Sequence, residues 1–142
     1  MKKILFVLLF LATNCFAQVS ATYNTNVTYF ASGVQTGATV NSADMVNTSF
    51  HGGHFIINIS AYTSGNYTVH IQGKDPVSGT YYDILVSPAL SATGITILKV
   101  MPGITTQANA ATADILPLIY RVQLIGAASP SMTLSVSAML EL

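Results

Sequence analysis

Charge is what this sequence has least of: five Lys+Arg and five Asp+Glu among 142 residues, or 7%, against about a quarter in an ordinary soluble domain. A nucleic-acid binder neutralises phosphates with Lys and Arg, so that class is excluded. A disordered chain combines low hydrophobicity with high net charge, and here the hydrophobic share is 51%. Tryptophan is absent and cysteine occurs once, as Cys15. Apolar runs are short, and none reaches the ~20 residues that a membrane-spanning helix needs. No stretch carries a long helical stripe of apolar residues. What fills the chain is Ser, Thr, Asn, Gly and β-branched residues, a strand-forming composition of one-domain length.

Residues 1–17 have the three parts of a secretory signal: Lys2-Lys3, the apolar run Ile4 to Ala12, and Ala17 before Gln18. Cleavage is expected after Ala17, the alternatives being a lipoprotein cut before Cys15 or an uncleaved apolar N-terminal arm. Without that segment, residues 18–142 carry Lys74, Lys99 and Arg121 against Asp44, Asp75, Asp83, Asp114 and Glu141, three cations against five anions and a net charge of −2. Cys15 leaves too, so the mature chain has no disulfide and no thiol nucleophile. Its stability must come from packing, and a chain of this size buries about two-thirds of its unfolded surface, enough for one core.

Alternation with period two dominates residues 18–142. Val19, Ala21, Tyr23, Thr25, Val27 and Tyr29 share one face of an N-terminal strand whose other face is Ser, Thr and Asn. Short strands are expected around 38–41 and 45–50, followed by a strand from His54 to Tyr62, a turn at Ser64-Gly65-Asn66, and a strand through Tyr67, Val69 and Ile71. Asp75-Pro76-Val77-Ser78-Gly79 predicts a tight hairpin, because Pro presets the second position and Gly takes the left-handed one. Strands follow at 80–87 and 95–101. Residues 104–116 are a loop with at most one helical turn. Residues 117–126 and 131–140 form a last pair joined through Ala127-Ala128-Ser129-Pro130. The fold class read from this pattern is all-β, a single antiparallel β-sandwich of jelly-roll or immunoglobulin-like kind with about seven to nine strands over residues 18–142.

Chemistry-bearing constellations are incomplete. His51 and His54 flank Gly52-Gly53, and with Asp44 they are the only candidates for a metal site, but no cysteine or glutamate joins them nearby. A polar loop entering a strand explains the same residues. His70 falls between Thr68 and Gln72 on a polar strand face. Asp75 and Asp83 are the carboxylates a glycosidase pair would need, yet the turn already accounts for Asp75. No Gly-x-Ser-x-Gly elbow, dinucleotide fingerprint or phosphate loop is present. The expectation is no enzyme and no cofactor. Asn26, Asn47, Asn58 and Asn66 open Asn-x-Ser/Thr sequons, which matter only in a host that glycosylates them. Lys99, Arg121 and Asp83 lie on different strands and can meet as a cross-strand ion pair. The uncharged N-terminal strand lacks Lys, Glu and Pro, so Val19, Tyr23, Val27 and Tyr29 are candidate subunit contacts, through β-augmentation of a neighbour or through closure of the chain's own sheet.

The stretch Thr68-Val-His-Ile-Gln-Gly-Lys-Asp-Pro-Val-Ser-Gly-Thr-Tyr-Tyr82, with Ala92 to Gly103, Asp114-Ile-Leu-Pro117, Tyr120-Arg-Val122 and Thr133-Leu-Ser-Val136, resembles a family of small β-rich virion structural proteins of tailed bacteriophages. The resemblance covers roughly residues 55–140, and it implies a non-enzymatic head-decoration or minor capsid component, located in the virion, with other copies or capsid proteins as partners. Two features depart from it. Relatives place a basic residue and a tryptophan after the Leu-Pro element, where this chain has Leu118-Ile119-Tyr120, and they generally lack a secretory signal. The alternative is an exported, extracellular or cell-surface protein: a filament subunit or an adhesin-like module with a carbohydrate-binding face.

Overall fold

The computed structural model describes residues 24–142, so the signal segment and the candidate contacts Val19 and Tyr23 lie outside the described residues. All regular structure described is β: β1 (Asn24–Gln35), β2 (Thr39–Asn41), β3 (Met45–Val46), β4 (Gly52–Lys74), β5 (Tyr81–Val86), β6 (Gly94–Val100), β7 (Ala111–Thr112) and β8 (Ile119–Glu141). They form one eight-stranded sheet. Every ladder is antiparallel except β6–β7, where Lys99 and Val100 pair in parallel with Ala111 and Thr112. Residues 104–116 hold turns, with the Gln107 carbonyl accepting from the Ala110 and Ala111 N–H groups, and the short strand β7.

The trunk of the sheet is β4 and β8, each 23 residues long and paired antiparallel from Gly52↔Glu141 to Gly73↔Tyr120. Two expected turns are corrected here. Ser64-Gly65-Asn66 and Ala127-Ala128-Ser129-Pro130 do not reverse the chain but bend it, within β4 and β8 respectively. Gly65 (φ 69°), Ala128 (φ 56°) and Ser129 (φ 51°) have left-handed backbone, and they face one another across the ladder. Ser64 Oγ donates to the Ser129 carbonyl at 2.9 Å, tying the two bulges together. β4 has an extra residue at each of the shifts Ile59/Ala61 and Tyr62/Ser64, and β8 has two extra at Ser64/Asn66, so the offsets cancel and the original register resumes at Asn66↔Ala127. Uncompensated extra residues in one strand would have offset every later pair, and an odd offset would have opposed core-facing to outward-facing residues.

Each half of the trunk recruits its own neighbours. Beside Gly52–Ile59, β1 adds to the β8 side (Asn24↔Glu141 through Gln35↔Met132) and β6 to the β4 side (Gly53↔Val100 through Ile59↔Gly94). Beside Asn66–Gly73, β2 and β3 add to β8 and β5 to β4. The β4–β5 connection is the predicted hairpin: the Gly79 N–H donates to the Asp75 carbonyl at 2.8 Å, and Gly79 has φ 72°.

Alternation decides what is buried. Phe55, Ile57 and Ile59 from the first half of β4 and Tyr67, Val69 and Ile71 from the second belong to one core, with Tyr120, Val122, Leu124, Met132, Leu134, Val136, Ala138 and Leu140 of β8. Most are inaccessible to solvent, and each such side chain contributes about 1.5–3 kcal/mol of transfer free energy. Tyr29 of β1 stacks on Phe55 at 5.7 Å between ring centres and crosses to Tyr120, whose hydroxyl lies 2.9 Å from its own. The strand flanking the first half of the trunk thus meets the second half of β8 in one interior.

Candidate functional site

In a chain this poor in charge, the position of the charged groups is the most informative chemical feature. A strip of them runs across the outer face of the second half of the sheet. Residues 68, 70, 72 and 74 alternate with the buried Val69, Ile71 and Gly73, so Thr68, His70, Gln72 and Lys74 share the face opposite the core. The register places Arg121 of β8 beside Gln72 and Asp83 of β5 on its other side. Asp44, in the connection before β3, closes one end.

The contacts form a continuous chain. Lys74 Nζ lies 2.9 Å from Asp44 Oδ2, and the Tyr81 hydroxyl donates to Asp44 Oδ1 at 2.6 Å. The Arg121 guanidinium lies 3.5 Å from the centre of the Tyr81 ring, a cation–π contact. Arg121 Nε donates to Gln72 Oε1 at 2.9 Å, and Gln72 Nε2 donates to Asp83 Oδ1 at 2.9 Å. Asp83 Oδ2 is 3.0 Å from His70 Nδ1, and His70 Nε2 is 3.1 Å from Thr68 Oγ1. Hydrogen bonds from Tyr81 and then Lys74 hold the Asp44 carboxyl below its ordinary value, and the bond to Asp44 raises the Lys74 ammonium. Each group satisfies its neighbour, so no nucleophile is set against a free base. The strip ties the β2–β3 connection, β8, β4 and β5 together, and its exposed pairs contribute little individually.

The residues singled out from the sequence fall as follows. Asp83 and Arg121 meet through Gln72, whereas Lys99 sits in β6 on the other half of the sheet, paired in register with His54. His54 Nε2 is 4.0 Å from Glu141 Oε1. The His51 N–H donates to the Glu141 carbonyl and its own carbonyl accepts from the Leu116 N–H, so its backbone anchors the entry to β4. Asp44, the third candidate beside the two histidines, is engaged by Lys74 and Tyr81. Among the described residues no three His, Cys, Asp or Glu come together. The Asp75 carboxylate accepts from the Val77 and Ser78 N–H groups, so it belongs to the hairpin and stays below its ordinary value, the Ser78 hydroxyl being the main cause. Val27 and Tyr29 point to this chain's own core. Burial pushes the Tyr29 phenol far above its ordinary value, with Tyr120 adding to the shift, and burial likewise raises Tyr120.

Surface depressions of about 260, 280 and 310 Å³ among the described residues lie beside Leu90–Thr96, between Asp83–Val86 and Thr106–Thr112, and between Ile97 and Ile104–Ala111. None of these joins two titratable side chains: the second holds Asp83 and the third Lys99.

One residue matters more than its sequon suggested. Asn47 Nδ2 donates to the carbonyls of Phe50 (2.7 Å) and Leu116 (2.8 Å), and its Oδ1 accepts from the Phe50 N–H at 2.8 Å. It is an Asx-type clamp joining the end of β3 to the segment before β8. The run Asn47-Thr48-Ser49 before an aromatic residue is the sequence signal for such a turn. Of the other sequons, Asn26 and Asn58 are exposed on strand faces and Asn66 is half-buried at the bend. The chain matches no protein-family model, no curated protein and no solved structure.

Proposed function

We propose that this chain is a non-enzymatic structural protein of a virion, a head-decoration or minor capsid component, whose single sheet folds over its shared core as a β-sandwich. The observation that carries the reading is the surface. The charged groups of the second half of the sheet are consumed by one another, while the outer face of the first half presents Asn24, Asn26 and Thr28 of β1, Asn58 of β4 and Ser135 and Ser137 of β8. Ile97, paired with Ile56, and Ile95 stand exposed on the same side. Lys99 and the His54–Glu141 pair stand at one end of this face, and the rest, neutral hydrogen-bonding groups interspersed with exposed aliphatics, suits packing against other protein surfaces. The Tyr29–Phe55–Tyr120 contact between strands of opposite halves supports the sandwich.

Mass spectrometry of purified phage particles tests this: the chain should be present in fixed ratio to the major capsid protein. Presence in the secreted or envelope fraction, with particles lacking it, would favour the second reading. That reading rests on Lys2-Lys3, the apolar run after it and Ala17, and makes the chain an exported surface or filament subunit.

A further inference from the structure

We propose that the open edge of β1 pairs antiparallel with β1 of a second copy of this chain, joining two sheets across a two-fold axis. The inference deepens the assembly reading above by naming its surface, and it rests on that reading.

An open sheet has edges, and this one protects most of them. At the β8 side of the second half, β2 and β3 are three and two residues long, with the Asp44–Lys74 ion pair standing beside the gap between them. On the β4 side, β5 carries Asp83 and is faced across a depression by Thr106–Thr112. In the first half, the two residues of β7 cover β6 only at Lys99 and Val100, so Gly94–Leu98 is a second open edge, five residues long. Short edges, charged edges and covering loops are the devices that prevent strand addition. The longest open edge is β1, twelve residues with no Lys, Arg, Asp, Glu or Pro. It pairs with β8 on one side, and among the described residues nothing pairs with its other side. A row of backbone N–H and C=O groups is therefore left available for pairing.

The register narrows the segment. Asn24–Thr28 pairs with β8 without interruption, whereas shifts between Thr28 and Phe30 and between Phe30 and Gly33 break the remainder, which twists a strand away from further pairing. The segment Asn24-Thr25-Asn26-Val27-Thr28 is self-complementary when run antiparallel about Asn26. On the outer face Asn26 meets its own copy and Asn24 meets Thr28, all uncharged hydrogen-bonding side chains. On the inner face Thr25 meets Val27, a β-branched pair continuing the core side of both sheets. Antiparallel pairing of a segment with itself is isologous, so it closes as a dimer. A second copy therefore fits this edge without any like-charge contact.

Sedimentation of the purified full chain tests the proposal. The native chain should self-associate. Asn26→Lys and Asn26→Asp, each placing like charges opposite each other on the two-fold, should each weaken association roughly tenfold or more. An equimolar mixture of the two should restore it, because Lys then faces Asp. Asn58→Lys, exposed on β4 away from this edge, should leave it unchanged. A monomeric native chain overturns the proposal, and so do Asn26 variants that associate normally or a mixture that does not recover. Normal association in the Asn26 variants would leave the assembly reading standing through another surface, and the particle analysis decides that reading separately. If the charged variants do not fold, disulfide formation by Asn26→Cys in a Cys15→Ser background reads the same contact. Cross-linking no greater than that of Asn58→Cys in that background overturns it.

Discussion

Gly65 and Gly79 have nearly the same backbone, φ 69° and 72°, yet replacing each with alanine should have different costs. Both variants acquire the penalty of an L-residue in the left-handed region, roughly 1–2 kcal/mol. Both also restrict the unfolded chain, which offsets up to about 1 kcal/mol in each case and cancels in the comparison. They differ in space. A Cβ at Gly79 meets nothing within 4 Å, whereas one at Gly65 would stand 2.6 Å from Pro130 Cα, 2.7 Å from the Ala127 carbonyl and 2.8 Å from the Ala128 carbonyl. All three are backbone atoms of the facing bulge and cannot rotate aside, so overpacking adds about 1–3 kcal/mol. Gly65→Ala should therefore be less stable than Gly79→Ala by about that amount, or roughly 3–10 °C in Tm for a domain of this size. Equilibrium urea unfolding followed by circular dichroism measures it, the midpoint shifting at constant slope. Equal losses in the two variants would refute the claim that the facing bulges are packed against each other.

Other outcomes follow from single contacts. Tyr120→Phe leaves the Tyr29 hydroxyl without its 2.9 Å partner and should cost about 1–3 kcal/mol, while the double variant with Tyr29→Phe should recover most of the loss; additive losses in a double-mutant cycle would show that the hydroxyls do not depend on each other. Asn47→Ala removes three clamp hydrogen bonds and should cost roughly 2–4 kcal/mol by thermal unfolding, with a loss no larger than that of an exposed Asn58→Ala counting against the clamp. Asp44 is held below its ordinary value by Tyr81 and Lys74, so its contribution is complete above the unfolded carboxylate pKa of about 4 and fades as pH falls through the lower folded value. Asp44→Asn should therefore have a shallower acid limb in its Tm–pH profile than the native chain, and parallel profiles would contradict this.

Local pattern was enough for much of the fold. Period-two alternation put Phe55, Ile57 and Ile59 on one face of a strand and gave Tyr67, Val69 and Ile71 the same alternation in the next; the structure joins the two strands into one, and equal parity on both sides of Gly65 lets one core hold them all. Asp75-Pro76-Val77-Ser78-Gly79 closes a hairpin from its own side chain and backbone, so its neighbours in sequence contain the whole interaction. His70 between Thr68 and Gln72 was legible as polar-face for the same reason. Ser64-Gly65-Asn66 and Ala127-Ala128-Ser129-Pro130 use similar turn residues and became bends instead. A left-handed residue reverses a strand when the next segment folds back on it, and bends the strand when a partner bulges at the same register. That partner is more than sixty residues away in the chain, as Ser64 is from Ser129. The polar strip was illegible for the same physical reason: each of its members reads as an ordinary surface residue, and Asp44, Gln72, Tyr81, Asp83 and Arg121 meet only because the β4–β8 and β4–β5 registers bring them side by side. Alternation assigns a residue to a face from its immediate neighbours, but which residues share that face is set by strand pairing, and pairing is a property of the folded sheet.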